Sequence, residues 1–472
     1  MKKVVIIGGG PAGLTAAYAL CRAGVSSVVL ERDAQVGGHA RTVAYKGYLF
    51  DVGGHRFFTK IAEVERIWGE VMQDGFLSVR RLSRILYRGK FFQYPLKPFE
   101  ALWKMGLFES AWVALSYLRK QLFPLRPEDN LENWMSNRFG RRLFLMFFKN
   151  YTEKVWGIPC TEIRAEWGAQ RIKTLTLGSA VKSALLPARN THRSLIEEFR
   201  YPERGPGLMW ERMAAKLERG GQEVRLQSAV VALKRTGFHI DAVVTRRGDA
   251  LEEVAGSDFI ASMPLSELVL GLDPPAPPEV QAAARSLRYR DFITVALMIR
   301  KPDLFPDNWI YIHTPEVHVG RIQNFRNWSA AMVPDAGTSC LGLEYFCNEG
   351  DWLWQLPDPE MIALARRETV SLGFAREEEI FDAAVVRQKK AYPVYDPPYR
   401  GHLDRLRDYL RRYENLQMVG RNGLHKYNNQ DHAMLTALLA VRNLLGETHD
   451  VWAVNTEEEY HEVQDQAQPT AE

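Results

Sequence analysis

The sequence has little cysteine and no paired framework of it: Cys21, Cys160, Cys340 and Cys347 are the only four in 472 residues. That excludes a disulfide-stapled secreted scaffold and suits reduced thiols in a cytosolic protein. Their spacing is not that of a zinc site, so no metal is expected. Neither sign of charge is in excess. Lys and Arg total 61 against 57 Asp and Glu, a net charge of +4, which gives no reason to expect nucleic acid as a partner. No uncharged apolar run reaches the roughly 18 residues that a membrane-spanning helix needs. The opening MKKVVIIGGG has too short an apolar stretch for a signal peptide and closes on glycines, not on a cleavage site. There is no short internal repeat, no G-x-S-x-G elbow and no Walker lysine motif. What is present is an ordinary folded composition, 46% hydrophobic and 25% charged, which excludes a mostly disordered chain. The length suits two or three domains. The expected location is the cytoplasm, with peripheral contact at the inner face of the membrane as an option.

The first 60 residues read as strand (4–7), glycine turn, helix (14–22) and strand (27–30), a βαβ unit. The run VVII is short, β-branched and continuous, as in a buried parallel strand. Further strands are expected at 223–226, 230–233, 259–262, 292–299 and 416–419, and helices at 131–151, 208–219 and 433–445. From 79 to about 123 the texture is aromatic and basic with helical spacing. A proline-rich stretch, 274–278, reads as a linker.

Gly8-Gly9-Gly10-Pro11-Ala12-Gly13 fits G-x-G-x-x-G between a strand and a helix. Gly8 permits the turn, Gly10 lets the backbone approach a pyrophosphate, and Gly13 lets the helix pack on the strand. Glu31 closes the next strand, where a carboxylate accepts ribose hydroxyls. The fold expected is α/β: a Rossmann-like dinucleotide-binding domain with a parallel sheet and helices, plus inserted helical and β-sheet substrate regions. The domain is read from 1–78, 201–272 and 411–455. A mainly helical cap lies at 79–200, a β-rich substrate domain at 273–410 and a polar tail at 456–472.

A second glycine pair follows in Val36-Gly37-Gly38-His39-Ala40-Arg41-Thr42. It resembles the signature of the amine oxidase and phytoene desaturase flavoproteins. Met263-Pro264, Val419-Gly420-Arg421 and Asp431 match that superfamily's later blocks. The resemblance implies FAD as cofactor, held by Gly8, Gly10, Ala12, Gly13, Glu31, Arg32, Gly38, Arg41, Gly53, Gly54, Val230, Gly420, Arg421 and Asp431. Other blocks are more specific. Gly53-Gly54-His55-Arg56-Phe57-Phe58-Thr59, Tyr151-Thr152-Glu153-Lys154-Val155-Trp156-Gly157, Gln170-Arg171-Ile172, Gly320-Arg321-Ile322, Leu343-Glu344-Tyr345, Ala391-Tyr392-Pro393-Val394 and Lys426-Tyr427 occur in order. Together they are similar to the UDP-galactopyranose mutases across nearly the whole chain.

That resemblance implies an isomerase acting between pyranose and furanose forms of a nucleotide sugar. In such enzymes the N5 nitrogen of reduced flavin attacks the anomeric carbon, UDP leaves, and the sugar recloses with the smaller ring. Partners would then be a small nucleotide-sugar substrate and a reductant for the flavin. Carried over by position, Arg171 and Arg321 would grip the diphosphate, Tyr392 would donate to it or to the sugar, and His55 would steady the N5 edge. Trp156, Glu344, His425 and Tyr427 would line the substrate pocket. From the residues alone, Trp156 also suits a core position, Arg171 a solvated helix surface, Arg321 a buried ion pair, and His55 a satisfied histidine. Two positions depart from the family pattern. Phe58 stands where bacterial members carry a second histidine, and His425 where they carry a tyrosine that touches the diphosphate, so the substrate pocket differs at two points.

The runner-up reading is an FAD-dependent oxidase or desaturase of the protoporphyrinogen oxidase or phytoene desaturase kind, and the aromatic residues at 91–123 suit an apolar substrate. A non-catalytic binder like the Rab GDP-dissociation inhibitors is disfavoured by the intact Gly8, Gly10, Gly13 and Glu31. The basic, aromatic stretch 79–104 suits either a pocket wall or an anionic membrane surface.

Overall fold

The computed structural model describes residues 3–165, 194–195, 197–455 and 463–464. They fall into two compact units. The first comprises Met1–Leu77, Arg200–Asp291 and Gln388–Glu457; the second comprises Ser78–Phe199, Phe292–Arg387 and Glu458–Glu472.

The first unit is built on a five-stranded sheet in the order Glu223–Arg225, Ser26–Leu30, Lys3–Ile7, Asp258–Ala261, Leu416–Met418. Every neighbouring pair is parallel, with Val5 opposite both Val28 and Phe259. Val4, Val5, Ile6, Val28, Val29, Phe259 and Ile260 are fully buried, because a parallel sheet covered on both faces needs continuous apolar strands. Helix Pro11–Arg22 begins at a proline in the first turn, where the missing N–H has no bond to lose. It packs beside helix Gln430–Leu444 through small residues. The α/β class read from the sequence is thus the observed one. Asp431, expected just ahead of the last helix, lies in its first turn.

The first unit also holds two stretches that the sequence reading placed with the β-rich domain. Helices Pro278–Ser286 and Tyr399–Leu410 pack on each other. Ala276, Val280, Ala283, Leu406 and Leu410 join the same core as the parallel sheet. The proline-rich stretch is therefore no solvated linker at Ala276, which is buried.

The second unit contains strands of a seven-stranded sheet in the order Ile380–Pro393, Tyr289–Ile299, Ser339–Cys347, Arg321–Asn324, Trp309–Ile312, Ser83–Tyr87, Lys90–Gln93. The helical spacing expected from 79 onward gives way here to a hairpin. Ser83–Tyr87 and Lys90–Gln93 pair antiparallel, with Tyr87 opposite Lys90. Arg88 and Gly89 both take positive φ (48° and 72°), the two-residue turn that matches strand twist. Helices Pro98–Met105 and Leu107–Leu122 follow, separated by Gly106 at φ 87°. The single helix expected at 131–151 is also broken. Leu131–Phe139 ends at Gly140 (φ 82°), and a π-helical stretch, Leu145–Lys149, precedes Asn150–Trp156. A φ of that sign is open to glycine and stops the helix.

A buried carboxyl ties three segments of the first unit together. Asp51 accepts from Thr42 Oγ1 (2.9 Å) and Tyr201 Oη (2.5 Å), and Thr42 Oγ1 accepts from the Gly207 amide (3.0 Å). Burial pushes the Asp51 pKa up from 3.8 to about 7, against the two donors that lower it. The folded chain then holds a proton that the unfolded chain releases near pH 4. Unfolding free energy should therefore fall as pH rises from about 4 to about 7, by about 4 kcal/mol in total at 1.4 kcal/mol per pH unit. Asp51→Asn should remove that slope. Urea denaturation of both proteins at three pH values reads the difference, and identical slopes would sink the assignment.

Candidate functional site

In the first unit the two glycine segments face each other. The Gly8 amide donates to Leu30 O (2.9 Å) and the Gly37 amide to Gly9 O (2.9 Å). A Cβ built on Gly38 would lie 3.2 Å from Gly10 Cα, and one on Gly10 would lie 3.7 Å from Gly38 Cα. No side chain stands between the two backbones at this point. A Cβ on Gly13 would lie only 1.8 Å from Gly8 O, so the helix seats directly on the turn. The first turn of that helix carries no acid, which leaves its positive end to an anion.

Glu31 is buried and accepts from the Gly9 amide (2.6 Å) and the Asp33 amide (2.9 Å). Burial raises its pKa and the two amides oppose the rise. Glu31 also shapes the turn, a role the motif alone does not reveal. Ser228 donates its amide to Glu31 O (2.7 Å), so the strand bearing Val230 starts beside the cofactor motif. Arg41 Nη1 donates to Gly38 O (2.9 Å) and to Gln388 Oε1 (2.7 Å). Arg32 is half exposed, 4.0 Å from Asp33 and from Glu267. Gly53 takes φ 86°, and its carbonyl lies 3.1 Å from His55 Nδ1. Gly54 beside it is exposed.

The later segments meet the same motif. Gly420 (φ 77°) donates to Thr436 Oγ1 (2.9 Å), and a Cβ on it would lie 3.0 Å from that of Ala12. Arg421 donates to Asn428 O and Ala391 O (3.0 Å each). Its guanidinium lies over the rings of Tyr392 and Tyr427, which stack at 5.7 Å and 16°. Tyr392 and Tyr427 thus come together around Arg421. His425 is buried, edge-on to Tyr289 at 4.8 Å, and burial takes its pKa down to about 4. Asp431 is buried beside His432 Nδ1 at 3.7 Å.

One residue went unnoticed in the sequence although it lies inside a motif. His39 is partly buried and bonds Asn422 through Nε2 (3.1 Å). Burial first, then Arg421, His55, Arg41 and Arg32, hold its pKa well below the ordinary value. Its Nδ1 and Asn422 Oδ1 are buried without a partner among the described residues. Orphaned polar atoms beside converging cations and a side-chain-free backbone cradle fit a bound dinucleotide carrying a diphosphate.

In the second unit Arg321 and Glu344 sit opposite each other on paired strands. Arg321 Nε and Nη2 donate to Glu344 Oε2 (2.9 and 2.5 Å), and Gln323 Nε2 holds Oε1. Glu344 is completely buried. Trp156 is buried at the end of its helix, which Gly157 (φ 67°) closes. Lys154 donates to Thr314 O (2.8 Å), and burial lowers its pKa to about 8. Tyr151 stacks on His313 (4.7 Å, 9°) and meets Tyr311 edge-on (5.5 Å), while Tyr311 lies 4.7 Å from Tyr94. Burial raises the Tyr151 pKa well above its ordinary value, and nearby Arg321 opposes the rise. Tyr151 therefore keeps its proton at neutral pH.

A further arginine that the sequence did not single out ends this cluster. Arg81 lies 5.6 Å from the ring centres of both Tyr94 and Trp309. Its Nε and Nη2 are buried with no hydrogen-bond partner among the described residues. Arg171 lies outside the described residues, so its expected partnership with Arg321 is not placed. No group of three or more His, Cys, Asp or Glu among the described residues is arranged to hold a metal ion.

The glycine cradle, Glu31 and the last helix define a flavoprotein of the dinucleotide-binding class. The chain belongs to the flavin containing amine oxidoreductase family, whose model matches residues 11–445, and its cofactor is FAD. The structure is similar to that of a reduced UDP-galactopyranose mutase, with a TM-score of 0.83 at 21% identity over 97% of this chain and 98% of that one. It is also similar to a putative protoporphyrinogen oxidase from Exiguobacterium, with a TM-score of 0.70 at 17% identity over 94% and 98% of the two chains. Among curated proteins, the L-amino-acid oxidase of Crotalus adamanteus is 23% identical over 339 residues, 64% of this chain. The match spans 58% of that relative's length.

Proposed function

We propose that the protein is an FAD-dependent enzyme that isomerises a nucleotide sugar between ring forms. The observation that carries the reading is the second unit's aromatic cluster. Tyr94, Tyr151, Trp309 and Tyr311 lie between two arginines, Arg81 and Arg321. Flat rings suit a nucleobase, and forked cations suit a diphosphate leaving group. An apolar substrate has no use for a guanidinium with two buried, unmet donors. The likeness in fold to a UDP-galactopyranose mutase supports the same reading.

FAD, when bound, supplies an N5 nitrogen that is nucleophilic in the reduced form and accepts hydride in the oxidised form. Gly10, Gly38 and the helix from Pro11 would hold its diphosphate, and Glu31 its ribose. The protein's own share is binding and charge. Arg81 and Arg321 would stabilise negative charge on the departing diphosphate. Tyr151, protonated, would donate to it or to the sugar. His55 and the converging Arg41 and Arg421 would favour an anionic reduced cofactor. A small reductant or reductase would keep the flavin reduced.

A second reading has its own support: curated relatives include proteins named as L-amino-acid and protoporphyrinogen oxidases. The two readings demand opposite flavin states. Turnover of UDP-sugars is expected with dithionite-reduced protein, and no acceptor is consumed in proportion to product. Oxidised protein forming stoichiometric peroxide, with reduced protein inert towards every UDP-sugar tried, would overturn the isomerase in favour of an oxidase.

A further inference from the structure

The second unit presents an apolar helical face to solvent that neither FAD nor a nucleotide sugar explains. Nine of the eighteen large apolar side chains exposed among the described residues fall between Phe99 and Phe123. Trp103 is 88% exposed, Leu107 89% and Phe108 95%. Soluble surfaces scatter such residues singly; a contiguous set marks an interface. On helix Leu107–Leu122, Phe108, Trp112, Leu115 and Leu122 repeat at helical spacing on one side, while Val113 is buried on the other.

The acids on helices Pro98–Met105 and Leu107–Leu122 are both paired. Glu100 is engaged by Lys104 (2.5 Å) and Glu109 by Arg142 (2.5 Å). The same region carries Lys97, Arg119, Lys120 and Arg126. Arg119 and Lys120 form no ion pair among the described residues. The Lys120 ammonium is disfavoured by partial burial and by its neighbours Arg119 and Arg141. At the far end of the helix an open groove is lined by Lys120, Arg126 and Arg138, the last paired with Glu128 (2.6 Å). An exposed tryptophan-bearing apolar stripe flanked by unpaired cations is complementary to an anionic bilayer. A two-fold contact through this stripe would instead bring Arg119 and Lys120 of both copies onto one interface. No described helix is long and apolar enough to cross a membrane. At about 1.5 Å per residue, helix Leu107–Leu122 would lie in the interface over roughly 24 Å.

We propose that the face formed by helices Pro98–Met105 and Leu107–Leu122 seats the protein on an anionic lipid surface. This stands independently of which substrate the flavin site takes. The test is co-sedimentation of the full-length holoprotein with vesicles of phosphatidylcholine alone or of phosphatidylcholine mixed with phosphatidylglycerol. Retention is expected on the mixed vesicles only, falling as salt is raised. Phe108→Gln with Trp112→Gln should weaken retention about tenfold or more, and Arg119→Gln with Lys120→Gln by about tenfold. Flavin absorbance in each variant reports that the fold is kept. Three results would overturn the proposal: no retention on either vesicle, equal retention on both, or a homodimer that the Phe108/Trp112 variant splits in sedimentation velocity while vesicle retention is unchanged. The last would assign the face to a second copy of the chain.

Discussion

Gly10→Val is expected to give a folded protein without flavin. A Cβ at Gly10 would meet only the Gly38 backbone, Cα at 3.7 Å and N at 4.0 Å, which is ordinary van der Waals contact. The protein backbone can therefore accept a side chain there. What it cannot accept is a branched side chain and a diphosphate in the same space, since two valine methyls would project into the gap between the glycine segments. FAD affinity should fall at least a hundredfold, about 3 kcal/mol or more. The measurement is the ratio of visible flavin absorbance to protein absorbance after purification, with far-UV circular dichroism as the check on folding. Gly13→Ala is the contrast. Its Cβ would stand 1.8 Å from Gly8 O, a backbone atom, so that variant should lose the fold together with the flavin. Full flavin absorbance in Gly10→Val would mean that the pyrophosphate does not run between Gly10 and Gly38.

The glycine turn and its βαβ unit were legible in the sequence because their determinants are local. Strand, glycine turn, helix and acid lie within the first 31 residues, and each has a spacing that a single βαβ unit imposes. His39 was not legible as a site residue, because what singles it out is Asn422, 383 positions away, and the cations that gather around it. Arg81 does not stand out in the sequence for a similar reason: its neighbours Tyr94 and Trp309 belong to different strands and loops. The hairpin at Ser83–Gln93 was hidden by its turn residues. Arg88-Gly89 adopts the turn that Asn-Gly usually announces, and the aromatic residues on both faces blurred the alternation. The stretches 278–286 and 399–410 read as part of a β-rich domain because the proline-rich 274–278 reads as a linker ahead of them. Only tertiary packing puts Ala276 and Leu406 into one core.

Arg321 tests the nucleotide-sugar reading, and its expected effects can be separated from stability. Arg321→Ala leaves Glu344, completely buried, with Gln323 as its remaining side-chain donor. Removing one partner of a buried ion pair costs about 3–5 kcal/mol, so this variant should be markedly less stable. Loss of UDP binding in it would say little by itself. Arg321→Ala combined with Glu344→Gln removes the stranded charge as well. The amide can still meet Gln323, and most of the lost stability should return. If Arg321 grips a diphosphate, UDP affinity should stay about tenfold or more below that of the wild type in the double variant, because a charge-assisted bond worth about 1.5–3 kcal/mol is gone. Arg321→Lys should fall between, since a point charge replaces a fork. Calorimetric titration with UDP and urea unfolding on the same preparations give both quantities. A double variant that binds UDP as tightly as the wild type would confine Arg321 to its ion pair with Glu344 and remove one of the two cations on which the proposed leaving-group site depends.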